Sequence, residues 1–296
     1  MNKKFFISTF AISVLLMVHI TTPVPAAAAS TATTLAVPAS VSPAAPEKVT
    51  VDLIIFAGQS NMSGNGGNAA MAPVVPSGQG YEYRPMAAPN TIFPALEPFG
   101  KYEKGLISDA PGYQNGSLVS SFMITYYSKT GTPVVGVPAT RGGSDSGFWA
   151  NPATKAELLS RYIKAKAYLE SNNYNVRHRY LVFLQGETEA VRGVNEFEYK
   201  NNLTSAFQPL FANGLEQVFM ITPGYAKDGV YSYDAVVKAQ LDLCSSNNLF
   251  AVASTALHSP AMNGYLADGV HYNQQGLNAV GSNAGATVGA YANGGR

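Results

Sequence analysis

At 296 residues, with 46% apolar residues, only 12% charged residues and a formal net charge of +1, the chain holds material for one large globular domain. It has no charge excess of the kind that grips nucleic acid, and its densest basic spot, Arg177-His178-Arg179, reads as a solvated loop ahead of a strand. Cys244 is the only cysteine, which excludes an intrachain disulfide, and it falls in a helical stretch where a buried, inert thiol is expected.

The chain opens on the pattern of a secretion signal over 1–29: Lys3 and Lys4, a mostly apolar run over 5–20, then a small-residue cleavage region over 26–29. The apolar run is short and carries Ser8, Thr9 and Ser13, so a cleaved signal is expected over a membrane anchor. Residues 30–48 are Ala, Ser, Thr, Pro and Val with almost no charge and read as a flexible leader. The folded domain is expected over 49–296.

Within it, near-continuous apolar runs at 51–57, 133–138, 180–184, 217–221 and 250–253 predict five strands covered on both faces. Helical patterns fall at 117–128, 153–171, 194–210, 233–246 and 274–292. This alternation predicts an α/β fold with a mostly parallel five-stranded sheet and helices on both sides. The segment 65–116, rich in Pro, Gly, Asn and Tyr, reads as long loops with short elements. In open sheets of this kind ligands bind beyond the carboxyl ends of the strands, where connections diverge. Ser60, Gly142-Gly143-Ser144, Gln185-Gly186-Glu187 and Asp268-Gly269-Val270-His271 each follow a predicted strand.

A serine hydroxyl becomes a useful nucleophile only when a histidine takes its proton and an acid orients that histidine. Ser60 lies at a tight strand-to-loop turn, as a nucleophile would, although serines also favour helix caps. The turn is not the Gly-x-Ser-x-Gly elbow, because residue 62 is Met62. Asp268 precedes His271 by three residues, close enough for one turn to bring its carboxylate to the imidazole Nδ1 and leave Nε2 for Ser60. A capping or turn role is the alternative for His271. Of the other histidines, His19 lies in the signal, His178 in the basic spot, and His258 has no acid nearby in sequence.

Gly58-Gln59-Ser60-Asn61-Met62, Gly142-Gly143-Ser144, Gln185-Gly186-Glu187 and Asp268-x-x-His271, in that order, resemble the blocks of the SGNH hydrolase superfamily. Over about residues 51–281 the chain is similar to its sialate O-acetylesterase and acetylxylan esterase branch (carbohydrate esterase family 6-like). The resemblance implies a flavodoxin-like three-layer α/β/α sandwich and a triad of Ser60, Asp268 and His271. It implies an oxyanion hole made by the backbone N–H of Ser60, a backbone N–H of the glycine pair, with Gly143 preferred over Gly142, and the side-chain amide of Gln185. Alternatives remain: a plain turn for the glycines, and a buried amide tying loops together for Gln185. Gln59, Asn61, Gly142 and Glu187 are expected to support the site. Trp149 lines the sugar site or packs a helix start against the sheet.

Departures from the family pattern stand at Phe183 and Leu184, where Trp and His are common, and at Glu189, where Asp is usual. They bear on the acyl pocket or its surroundings and leave the triad untouched. The expectation is therefore a secreted serine esterase acting on a small ester or acetylated carbohydrate, with an O-acetyl group as the family's expected target. No cofactor, metal or nucleic-acid partner is implied, and no membrane partner after signal removal. The rival readings are a lipase or thioesterase of the same superfamily, and a non-catalytic carbohydrate-binding protein on the same scaffold.

Overall fold

The structure, a computed structural model, describes residues 47–193, 195–229 and 231–295. The expected signal over 1–29 and nearly all of the leader over 30–48 lie outside the described residues.

Among the described residues seven strands form one sheet: β1 (Val49–Gly58), β2 (Gly80–Arg84), β3 (Ala88–Pro94), β4 (Val134–Thr140), β5 (Tyr174–Leu184), β6 (Gln217–Ile221) and β7 (Phe250–Ser254). Their order is β3-β2-β4-β1-β5-β6-β7. Every pair is parallel except β2 with β3. The helices are α1 (Ser60–Ser63), α2 (Val119–Thr130), α3 (Ser146–Ala150), α4 (Pro152–Ser171), α5 (Glu187–Arg192), α6 (Glu196–Phe211), α7 (Asp234–Ser246) and α8 (Gln274–Ala292).

The five expected strands are present, and the count is corrected to seven by a hairpin inside the segment read as loops. β2 carries Glu82 and Arg84 among its tyrosines, and β3 is an edge strand bearing Pro89, Asn90 and Pro94, so neither shows the apolar run of a central strand. The Arg177-His178-Arg179 spot is also corrected: it lies within β5. Arg177 pairs with the buried Asp52 at 2.6 Å and His178 Nδ1 lies 2.8 Å from Glu216, so opposite charges let this end of the strand carry basic residues.

Alternation along β1 divides the core. Leu53, Ile55 and Ala57 face a cluster with Leu158 of α4, Leu203 of α6 and Val237 of α7. Ile54 and Phe56 face a second cluster with Phe122 of α2 and Leu277 and Val288 of α8. Helices thus cover both faces, as an α/β/α sandwich requires.

Register sets the level of the site. Gly58, the last residue of β1, pairs with Thr140 of β4 on one side and Leu184 of β5 on the other, and both partners are the last residues of their strands. The chain leaves β1 toward β4 and later crosses to β5, so three strand ends open together at the point where connections diverge.

Candidate active site

Gly58 makes the exit from β1. Its φ is +147°, and a Cβ there would sit 2.0 Å from the Leu184 carbonyl oxygen, so a side chain would push β1 and β5 apart. Ser60 follows as the first residue of the one-turn helix α1. It does not act as a cap: the capping position is Gln59, and the Ser60 hydroxyl makes no hydrogen bond among the described residues. The Ser60 N–H is likewise unengaged within the described chain.

His271 stands on the same cleft as Ser60. Asp268 Oδ2 lies 2.7 Å from His271 Nδ1, while Asp268 Oδ1 accepts from the N–H groups of Val270 and His271 at 2.8 Å each. Partial burial alone would raise the Asp268 pKa, but the two N–H donors and His271 outweigh it and hold the carboxyl below its ordinary range. The Lys227 N–H to the Gly269 oxygen, at 2.8 Å, ties this loop to the one that follows β6. With Nδ1 on Asp268, the imidazole presents Nε2 as its remaining nitrogen.

Asn61 joins the serine helix to the histidine loop. Its Nδ2 donates to Glu187 Oε1 at 2.6 Å and to the Val270 oxygen at 3.1 Å, and its Oδ1 accepts from Tyr272 N–H at 3.0 Å. One side chain of α1 therefore contacts the start of α5 and both sides of His271. Glu187 is buried, and that burial raises its pKa against the opposing Asn61 hydrogen bond; its Oε2 has no partner among the described residues. The Gln59 side chain accepts weakly from Gly186 and Thr188 N–H, both at 3.4 Å; its Nε2 makes no hydrogen bond among the described residues, and the residue lines the cleft.

At the end of β4 the two glycines separate in role. Gly142 N–H donates to Asp109 Oδ1 at 2.6 Å. Gly143, at φ +68° with nothing within 4 Å of a would-be Cβ, keeps its N–H unengaged within the described chain. A Cβ on Gly142 would lie 3.9 Å from that of Ser60, so this loop adjoins the serine.

Two expectations are corrected. Gln185 does not line the cleft; it is fully buried, donating to the Ser144 oxygen at 3.1 Å and to Glu189, and accepting from the Tyr199 hydroxyl at 3.1 Å. Gln240 extends the network by donating to Tyr199 Oη at 2.8 Å and to the Gln185 oxygen at 2.7 Å. Glu189, at the position of a family departure, is pushed up by burial and takes hydrogen bonds from Ser146 N–H and Gln185. The alternative of an amide tying loops together is the one found. Trp149 is likewise fully buried: its ring meets Phe183 and Phe148 edge to face at 5.3 and 5.6 Å, and its Nε1–H donates to Ser144 Oγ at 3.1 Å. It supports the glycine loop from beneath and does not reach the cleft.

The cleft encloses about 700 Å³, ample for a sugar unit beside an acyl group. Besides the expected residues it is lined by Asp109, Tyr113, Arg141, Val191 and Tyr233. Sequence reasoning missed these because none belongs to a distinctive motif: Asp109 and Tyr113 come from the loop-like segment, Arg141 directly follows β4, Val191 lies near the end of α5 and Tyr233 precedes α7. The other described histidines also have carboxylates nearby, Glu216 for His178 and, at 3.4 Å, Asp234 for His258. Their exclusion rests on place, since neither lines the cleft.

A family model described as carbohydrate esterase, sialic acid-specific acetylesterase, matches residues 50–288. No curated protein sequence matches the chain. Among solved structures, a protein of Arabidopsis thaliana superposes with a TM-score of 0.60 at 16% identity, covering 83% of this chain and 98% of that one. NanS superposes at 0.52 with 15% identity, covering 85% of this chain and 100% of its own. A carbohydrate acetylesterase from Xanthomonas citri superposes at 0.51 with 15% identity, covering 82% of this chain and 57% of its own. At these identities the three establish likeness of fold.

Proposed function

The chain belongs to the family of carbohydrate esterases described as sialic acid-specific acetylesterases and is a carboxylic ester hydrolase, and from that premise we propose that it removes O-acetyl groups from carbohydrate hydroxyls through a serine acyl-enzyme. The observation that carries the mechanism is the presence on one cleft of a Ser60 hydroxyl without a hydrogen bond among the described residues and of His271, whose Nδ1 is held by Asp268 at 2.7 Å. In the first step Ser60 Oγ attacks the ester carbonyl as His271 Nε2 takes its proton; the C–O bond to the sugar then breaks and the imidazolium protonates the departing oxygen. In the second step water, deprotonated by the same imidazole, attacks the acyl-serine; the bond to Ser60 Oγ breaks, the imidazolium returns its proton to that oxygen, and acetate leaves.

The carbonyl oxygen acquires negative charge in both steps and needs preorganised donors. The unengaged N–H groups of Ser60 and Gly143 and the unpaired Gln59 Nε2 are the donors proposed, with Gln59 taking the role first expected of Gln185. Release of acetate from a panel of acetylated xylan, acetylated sialic acid and acetylated peptidoglycan fragments tests the substrate. Zero release across the panel would sink the deacetylase reading. Labelling by a serine-directed phosphonate, mapped to the Ser60 peptide, tests the nucleophile, and an unlabelled folded protein would favour a binding role. Export by the signal over 1–29 belongs to the same proposal; a secreted form whose amino terminus begins close after 26–29 supports it, and retention of residue 1 would oppose it.

A further inference from the structure

Asp109 meets the cleft at the end of a segment that the helices hold in place. Arg161 of α4, fully buried, donates to the Pro138 oxygen of β4 at 2.6 Å, to the Lys104 oxygen at 2.7 Å and to Ser108 Oγ at 3.0 Å. Its partner Glu157 accepts from Leu106 and Ile107 N–H at 2.8 and 3.0 Å. Residues 104–108 are thereby locked to α4 and to the strand that leads into the glycine loop. The next residue, Asp109, spends both carboxylate oxygens: Oδ1 accepts from Gly142 N–H at 2.6 Å, and Oδ2 accepts from the hydroxyl of Ser63 on the serine helix. Arg141, beside the glycines, returns a second tie by donating to the Ser108 oxygen at 3.1 Å.

We infer that Asp109 is a positioning residue for the oxyanion hole: it consumes the Gly142 N–H, leaves Gly143 as the donating glycine, and fixes that donor relative to Ser60 by bridging the glycine loop to α1. The inference rests on the serine-esterase reading above. Trp149 and Gln185 hold Ser144 and Arg141 is tied to Ser108, but the Gly142-Gly143 peptide between them has only the Asp109 bridge, since Gly143 sits in a left-handed turn with nothing within 4 Å of where a Cβ would be. A donor that must be ordered during the reaction is worth much less than one held in advance.

The role is one of hydrogen bonding, so an amide can perform it. In Asp109→Asn the amide oxygen accepts from Gly142 while the NH2 donates to Ser63, whose own proton turns to the Gln59 oxygen it already approaches at 3.3 Å. The test measures kcat and KM on an acetyl ester for the wild type and for Asp109→Asn, Asp109→Ala and Asp109→Glu, each referred to active sites titrated with a phosphonate. Asp109→Ala is expected to lose about 10- to 100-fold in kcat, short of the roughly 100- to 1,000-fold that follows outright removal of a donor, with KM unchanged within about threefold. Asp109→Asn should stay within about fivefold of wild type. Asp109→Glu keeps the charge but displaces the carboxylate by one methylene, and should lose about 10-fold or more; it decides the matter should the alanine variant not fold.

Wild-type kcat in Asp109→Ala or Asp109→Glu overturns the inference, as does an asparagine variant no better than the alanine one. A wild type that turns over while Ser60→Ala does not keeps the esterase reading intact whatever the Asp109 series shows. A wild type without turnover overturns both.

Discussion

Replacing Asp268 offers the sharpest test of how His271 is held. Its Oδ1 already accepts from Val270 and His271 N–H at 2.8 Å each, and only an oxygen can occupy that place. In Asp268→Asn the amide oxygen therefore stays there and the NH2 group faces Nδ1 of the imidazole. Nδ1 must then accept, the ring carries its proton on Nε2, and the nitrogen that should deprotonate Ser60 is blocked. In a buried triad the same exchange costs about 10⁴ in kcat. The Asp268 side chain is 54% exposed, so solvent screens the purely Coulombic part of that loss. The expected fall is about 10³ for Asp268→Asn and about 10² for Asp268→Ala, where water can accept the Nδ1 proton and leave Nε2 free. The assay is steady-state hydrolysis of an acetyl ester from pH 5 to 9, with rates referred to titrated active sites. An asparagine variant as active as the alanine variant would refute the tautomer argument, and wild-type rates in both would remove Asp268 from the site.

Gln59→Ala should lose about 10²-fold in kcat with little change in melting temperature, whereas Gln185→Ala should do the reverse. Deleting Gln185 removes the partner of the Tyr199 hydroxyl proton, of Glu189 Oε2 and of the Ser144 oxygen, at a cost of about 3 kcal/mol or a fall of roughly 10 °C in thermal unfolding; the opposite pattern would return Gln185 to the oxyanion hole. Glu187→Gln tests a pH dependence. Burial raises the native carboxyl, so above about pH 4.3 the unfolded chain gives up that proton first, and stability falls as pH rises until the native group also titrates. The melting temperature of the variant relative to wild type should therefore climb through that window, and a constant difference would show that Glu187 titrates normally. Trp149→Ala should destabilise by about 3–5 kcal/mol while KM for sugar esters and for a simple acetyl ester change in parallel. A selective rise in KM for the sugar would put the indole in the cleft.

The sheet was legible because its central strands are apolar on both faces, and five runs of such residues can be covered only by helices above and below. The β2–β3 hairpin was not, since edge strands with prolines and paired charges carry no such signature. Arg177-His178-Arg179 misled for a related reason: charge suggests solvent until its partners are known, and Asp52 and Glu216 lie far from it in sequence. Asp268 and His271 were readable as a pair because three residues of one turn bring them together, whereas Asp109 reaches Gly142 across 33 positions through a segment without periodicity.

The two glutamines show where motif order stops. Each comes one residue after the end of its strand, both lie in blocks shared with the family, and both carry an amide able to stabilise an oxyanion. What separates them is the direction each takes from its strand. Gln185 directly extends β5 and turns inward because Tyr199 of α6 and Gln240 of α7, on neighbouring helices, offer buried partners. Gln59 comes one residue after Gly58, whose positive φ swings the chain out of the sheet and over the cleft. The orientation of the amide is thus set by a glycine conformation and by two side chains far away in sequence. Exchanging Gly58 for alanine should cost activity through misplacement of Gln59 and Ser60 together, because the new Cβ must displace the Leu184 carbonyl at 2.0 Å. Loss of turnover with phosphonate labelling also slowed is the expected result. A Gly58→Ala enzyme of wild-type rate would mean that the turn does not set the site.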